Sequence, residues 1–176
     1  MKGFILTRHW RDTSTGVMLE LWLASDQGAV KLTVPAQTPV FFIRESDQQC
    51  VRDVAGASSS ISMKPLALKN IHGESVVGVY CTQQRQLREL SDRLQTEGIT
   101  CWEADIRPPE RFLMERFVTS SLQIPHDVAL RTKNNVAYAH TQKVKPVTYR
   151  PQLKAVSIDI ETSMNAQRLY SIAAYS

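Results

Sequence analysis

The 176-residue sequence holds no apolar run near the roughly 20 residues of a membrane-spanning helix. Its start, Met1-Lys2-Gly3-Phe4-Ile5-Leu6-Thr7-Arg8-His9, has only three apolar residues in a row. A secretory leader needs about 7–15, so none is expected. Cysteine is scarce: Cys50, Cys81 and Cys101 are odd in number and widely spaced, which excludes a disulfide framework and a zinc site. Free thiols in a reducing cytoplasm are the expectation. His9, His72, His126 and His140 show no metal-ligand spacing with one another or with the cysteines. No glycine-rich phosphate loop and no nucleophile elbow occur. Internal repeats and low-complexity tracts are also absent. With 43% hydrophobic and 22% charged residues the chain is too apolar for disorder, and at this length it can bury one full core.

One local absence carries more information. Between Asp127 and Asp159 there is no acid, while Arg131, Lys133, Lys143, Lys145, Arg150 and Lys154 fall in that interval. Tyr138, His140 and Tyr149 are interleaved with them. Cations with aromatics suit a phosphate backbone and an unstacked base. A solvated, extended linker has the same composition, so charge alone gives a weak nucleic-acid signal.

The element pattern is α+β. Gly3–Thr13, Val17–Ser25 and Ala29–Val34 read as three strands of a β-meander over residues 1–35, joined by Gly-containing turns and broken at Pro35 and Pro39. In the second strand Leu19, Leu21 and Leu23 alternate with Met18, Glu20 and Trp22. Residues 39–105 read as a βαββαβ unit of the ferredoxin-like kind. Its parts are a strand at Val40–Arg44, a short helix capped by Ser46 and running to Ala55, strands at Ile61–Leu68 and Val76–Tyr80, a helix over Gln83–Glu97, and a strand at Ile99–Ala104. Ser58-Ser59-Ser60 reads as a loop, Thr82 as the second helix's N-cap, and Gly98 as its C-terminal stop. Leu87, Leu90 and Leu94 form that helix's apolar stripe. RNA-binding modules share this topology. Their aromatic stacking signature is read as absent from these strands. Residues 107–150 read as a short helix opened by Pro108 and Pro109, followed by a basic, extended segment. Trp10, Trp22 and Trp102 fall on expected strands and read as packing residues.

The last segment, Ala155-Val156-Ser157-Ile158-Asp159-Ile160-Glu161-Thr162, is an apolar strand pattern carrying two carboxylates at i and i+2. Such residues share one face of a strand. Two adjacent carboxylates repel, and a divalent cation such as Mg²⁺ is the usual compensation. A water-facing strand edge is the alternative. Leu169–Ala174 supplies the second strand of a hairpin.

The segment Val156-Ser157-Ile158-Asp159-Ile160-Glu161-Thr162 resembles the first exonuclease motif of the family B DNA polymerases. The likeness extends through Gly3–Thr13, Pro65–Lys69, the run Glu103-Ala104-Asp105-Ile106-Arg107-Pro108-Pro109-Glu110-Arg111-Phe112-Leu113-Met114-Glu115-Arg116-Phe117, and Tyr149-Arg150-Pro151. It is similar to the bacterial DNA polymerase II branch of that family over essentially the whole chain. The resemblance implies a longer, DNA-repair-linked parent enzyme that polymerises DNA and proofreads with a 3′→5′ exonuclease. Residues 1–150 would form its N-terminal domain and 151–176 the start of a truncated exonuclease domain. Asp159 and Glu161 would occupy catalytic, metal-holding positions for Mg²⁺ in the parent. The further carboxylates of both active sites would lie in missing domains, so tight metal binding and catalysis by these residues alone are not expected. Primer–template DNA is the implied partner, and no membrane is. Arg131, Lys133, Lys143, Lys145 and Tyr138 are the candidate DNA contacts, chosen by charge and ring. Beyond residue 154 the chain is expected either to dock on the N-terminal domain or to pair with a second copy as a homodimer. A stand-alone ferredoxin-like interaction module and a small metal-dependent nuclease are the alternatives.

Overall fold

The computed structural model describes residues 1–56 and 60–176. The expected loop at Ser58 and Ser59 lies outside the described residues. The chain opens with three long strands, β1 (Lys2–Thr13), β2 (Gly16–Ser25) and β3 (Gly28–Gln37). Then follow β4 (Val40–Arg44), a 3₁₀ turn at Glu45–Asp47, α1 (Gln48–Ala55), β5 (Ile61–Lys69), β6 (Ser75–Cys81) and α2 (Gln84–Thr96). The second half holds α3 (Pro108–Met114) and the short strands β7 (Ser121–Gln123), β8 (Arg131–Lys133), β9 (Val136–His140) and β10 (Lys145–Pro146). A final pair, β11 (Ser157–Thr162) and β12 (Leu169–Tyr175), ends the chain. Among the described residues no helix is long and apolar enough to cross a membrane.

The expected meander is the centre of a seven-stranded sheet in the order β10-β7-β1-β2-β3-β9-β8. The segment expected to be extended thus supplies four strands, which complete both edges. This sheet must curl. β9 and β10 are five places apart in it, about 24 Å if it were flat. Yet only residues 141–144 connect them, and five extended peptide steps reach at most about 18 Å. Curling brings one face inward. On it lie Leu19, Leu21, Leu23, Val30, Leu32 and Val34 in strict alternation, each at most 1% exposed. Phe112 and Leu113 of α3, with Leu122, Ile124, Ala139 and Val144, fill the space they enclose. Pro35 does not end β3. Between the pairs Leu19–Val34 and Val17–Gln37 the register shifts, and Ala36 adopts φ 49°. Proline has no N–H for the ladder, and a bulge is where a strand tolerates it.

Residues 40–104 form a separate three-stranded antiparallel sheet in the order β4-β6-β5, with α1 and α2 on one face. Val51, Leu87, Leu90 and Leu94 pack there on Phe41, Ile43, Val77, Val79 and Cys81. The expected fourth strand at Ile99–Ala104 is reduced to one bridge, in which Trp102 and Phe42 exchange backbone hydrogen bonds of 2.8 and 2.9 Å. Glu103, at φ 59°, then turns the chain away from the sheet edge.

The caps also differ from expectation. Ser46 sits inside the 3₁₀ turn and caps nothing, bonding Asp47 instead. At α2 the N-cap is Gln83, whose N–H donates to Gln86 Oε1 at 3.1 Å, and not Thr82. The helix's next two N–H groups, of Gln84 and Arg85, donate to the Asp12 carboxylate at 2.8 and 3.1 Å. Asp12 lies on β1, so one unit caps a helix of the other. The C-terminal stop follows the sequence: Gly98 at φ 78° donates to Gln95 O, and Ile99 N–H donates to Leu94 O. This paired Schellman arrangement needs a left-handed residue at that position, which glycine adopts without strain.

Candidate nucleic-acid interface

The five residues singled out by charge and ring do not act as one patch. Arg131 on β8 stands directly opposite Tyr138 on β9, so their side chains share a face. Tyr138 and His140 are two residues apart on β9 and point outward together, while Ala139 between them is buried. Arg131, Tyr138, His140 and Lys143 line an open groove of about 660 Å³, with Thr33, Asp127 and Val128. Lys143 enters it from the short connection between β9 and β10, where its N–H donates to Thr141 Oγ1 at 2.9 Å. Lys133 is exposed but does not line this groove. Lys145 is on β10, at the other end of the strand order, paired with Gln123. Three of the five are therefore gathered, two are not, and His140 joins them. Its period-2 spacing from Tyr138 was the available signal.

The groove's chemistry follows from this geometry. Tyr138 is 38% exposed, and its ring can stack on an unpaired base. Arg131 and Lys143 flank it as cations, and Asp127 sets one acidic limit to the groove. The floor is held firmly. β9 pairs in parallel with β3, and Gln142 Nε2 donates to Pro35 O at 2.8 Å across the connection. Tyr149, further along the basic interval, is not a groove residue: its hydroxyl donates to Asp26 at 2.8 Å. Burial, and then that hydrogen bond, raise its phenol above the usual value.

Asp159 and Glu161 stand on one face of β11, opposite Ala173 and Ser171 of β12. Both strands are exposed along their whole length, and among the described residues they pair only with each other. The expected docking onto the preceding residues is therefore not what the structure has. The hairpin's apolar side chains, Ile158, Ile160 and Ile172 among them, stay exposed. One oxygen of Asp159 accepts the Ile160 N–H at 3.0 Å. Among the described residues no three His, Cys, Asp or Glu side chains stand together as a metal-holding cluster. Two carboxylates on an exposed hairpin give two ligands, short of what fixes a divalent ion, and no chemical step is assigned to them.

Comparison with known proteins covers the same residues. A family model described as the DNA polymerase II N-terminal region matches residues 3–38, and one described as the DNA polymerase II insertion domain matches residues 39–99. The chain is 43% identical over 171 residues to DNA polymerase II of Escherichia coli (strain K12), a match covering 97% of this chain and 21% of that protein. It thus spans about a fifth of the length of that curated relative. Among solved structures, the family B DNA polymerase from the hyperthermophilic archaeon Pyrobaculum calidifontis matches with a TM-score of 0.66 over 92% of this chain and 22% of that one. At 16% identity this likeness concerns the fold alone. Over nearly its whole length, the chain resembles the N-terminal region of DNA polymerase II.

Proposed function

We infer that this chain is the N-terminal portion of a DNA-directed DNA polymerase of the DNA polymerase II kind, and that it serves as scaffold and template contact. The observation that carries this is the 43% identity over 171 residues, joined to two consecutive family matches over residues 3–99. We read residues 39–105 as a ferredoxin-like insertion whose fourth strand has shrunk to the Trp102 bridge. No observation favours the stand-alone interaction module.

In this reading the curled sheet holds the groove of Arg131, Tyr138 and Lys143 against single-stranded template ahead of the primer. The hairpin is the first part of a 3′→5′ exonuclease domain. Asp159 and Glu161 would there contribute two of the ligands for Mg²⁺, which would stabilise charge on the scissile phosphate. The apolar face of the hairpin, carrying Ile158, Ile160 and Ile172, would be covered by the remainder of that domain. A role in DNA repair and a cytoplasmic location belong to the same reading. Light scattering on the 176-residue chain tests whether the uncovered face instead pairs two copies.

The direct test is fluorescence anisotropy with a labelled primer–template bearing a single-stranded 5′ overhang, titrated across salt. Binding is expected to weaken with a log–log slope of about −0.7 to −0.9 per phosphate contact. Arg131→Ala and Lys143→Ala should each reduce the slope by about one contact. Lys145→Ala should change it less, because Lys145 lies outside the groove. Absence of binding at low salt would sink the template-contact role and leave the scaffold role.

A further inference from the structure

The three-stranded sheet has a second face, which carries neither helix. Phe41, Ile43, Val77 and Val79 point under α1 and α2. Their neighbours Phe42, Gly78 and Tyr80 therefore point the other way. Phe42 and Lys64 both stand opposite Gly78, on the two strands that flank it. Phe42 and Tyr80 are both half-buried. As diagonal neighbours on paired strands they fall within about 7–8 Å of each other.

Gly78 shapes this face. A Cβ there would lie 2.9 Å from Tyr80 Cε2, 3.1 Å from its hydroxyl and 3.2 Å from Leu66 Cδ1. The Tyr80 ring therefore lies across the glycine, along the sheet. Lys64 Nζ is 5.1 Å from the centroid of that ring, and the Arg111 guanidinium is 5.6 Å from that of Phe42. Concave surfaces lie on both sides of Phe42, one reaching Tyr80 and Arg111 and the other reaching Lys69 and Trp102.

The charges around the face are unequally committed. Glu103 pairs with Arg111 at 3.0 Å, Glu115 with Arg116 at 3.6 Å, and Glu74 with Arg44 at 3.7 Å. Lys64 and Lys69 have no carboxylate partner among the described residues. The sheet edge beside them is blunted: β5 carries Pro65, and its register shifts between Pro65 and Lys69. Such an edge discourages an added peptide strand. Two neighbouring rings on a sheet face, with free cations at the margin, instead match the requirements of unstacked bases and their phosphates.

We propose that this face binds single-stranded nucleic acid, with bases stacked on Tyr80 and Phe42 and phosphates at Lys64 and Lys69. The site lies on the three-stranded unit and is independent of the groove at Tyr138.

The test uses the 176-residue chain and a fluorescein-labelled oligo-dT 12-mer at low salt, with a parallel 12-mer carrying 5-iodouracil for photocrosslinking and peptide mapping. Crosslinks are expected at Tyr80 or Phe42, and Arg131→Ala should leave them in place. Tyr80→Ala should weaken binding about tenfold, while Tyr80→Phe, which keeps the stacking surface, should bind like the parent. Lys64→Gln should reduce the salt slope by about 0.7. Crosslinks confined to residues 127–145 would overturn the proposal. So would undiminished binding by a Tyr80→Ala variant that melts like the parent, or no binding of the 12-mer at all. Should Tyr80→Ala fail to fold, the crosslink position and the exposed Lys64→Gln decide the matter.

Discussion

β2 and β11 are written in nearly the same alphabet. Val17-Met18-Leu19-Glu20-Leu21-Trp22-Leu23 and Val156-Ser157-Ile158-Asp159-Ile160-Glu161 both alternate aliphatic and polar or amphipathic residues. In β2 the leucines are at most 1% exposed, whereas in β11 Ile158 and Ile160 are 62% and 55% exposed. The difference lies outside both strands. β2 is covered by α3, β7 and the 144 region, which lie about a hundred residues downstream. Among the described residues β11 has only β12 beside it, and both strands are exposed along their length. Alternation chooses which face would be buried, and a second surface decides whether burial happens.

The largest expected effect separates the two strands directly. Leu21→Ala should destabilise the chain by about 2–5 kcal/mol in urea unfolding, because it leaves a cavity in the closed interior. Ile160→Ala should change stability by less than about 0.5 kcal/mol, as an exposed substitution. A loss at Ile160 comparable to that at Leu21 would break the comparison and mean that the hairpin has a cover in solution.

A smaller effect tests covering by a polar group. Asp12→Ala removes the carboxylate that caps α2 from the neighbouring unit and should cost about 1 kcal/mol. Hydrogen exchange at Gln84 and Arg85 should accelerate, and exchange in β11 should not change. Equal acceleration in the hairpin would show that β11 leans on the junction after all.

The remaining effect is confined to alkaline pH. Burial pushes the Cys81 thiol up to about 11, and burial together with nearby Asp47 does the same for Cys101. Their unfolded value is 9.0. Above pH 9 the unfolded chain releases these protons while the folded chain keeps them until about 11, so folding is progressively disfavoured across that window. The denaturation midpoint should fall between pH 9 and 11, and less so in Cys81→Ala measured against its own neutral-pH value. No thiol lies in the hairpin, so tail-specific proteolysis should be insensitive to this window.

Much of this architecture is legible from local pattern. The leucine alternation of β2, the α2 stripe of Leu87, Leu90 and Leu94 and its end at Gly98 depend on neighbours within a turn or a hairpin. So does the β11–β12 pair. What the pattern hides is supplied from a distance. Thr82 is a good cap by type, yet the helix is capped by Gln83 and by Asp12, some seventy residues away. Residues 121–146 look extended because three-residue strands carry almost no periodicity, and only the sheet they complete gives them their state. Pro35 reads as a breaker because a bulge is invisible before the partner strand is known. In the candidate site, charge alone groups Lys133 and Lys145 with Arg131, while the strand order separates Lys145 from it. The outward pair Phe42 and Tyr80 is hidden for another reason. In β4 and β6 both faces are apolar, so composition does not say which residues meet the helices.

The curled sheet also imposes an order on synthesis. β1, β2 and β3 leave the ribosome well before the strands that close their two edges, β7 and β9, which come more than eighty residues later. In the interval the three-stranded unit of residues 40–104, whose core partners are near in sequence, can fold to completion. The meander thus waits unsealed while its neighbour folds, and nascent chains paused near residue 110 would expose the edges of β1 and β3 to any passing strand.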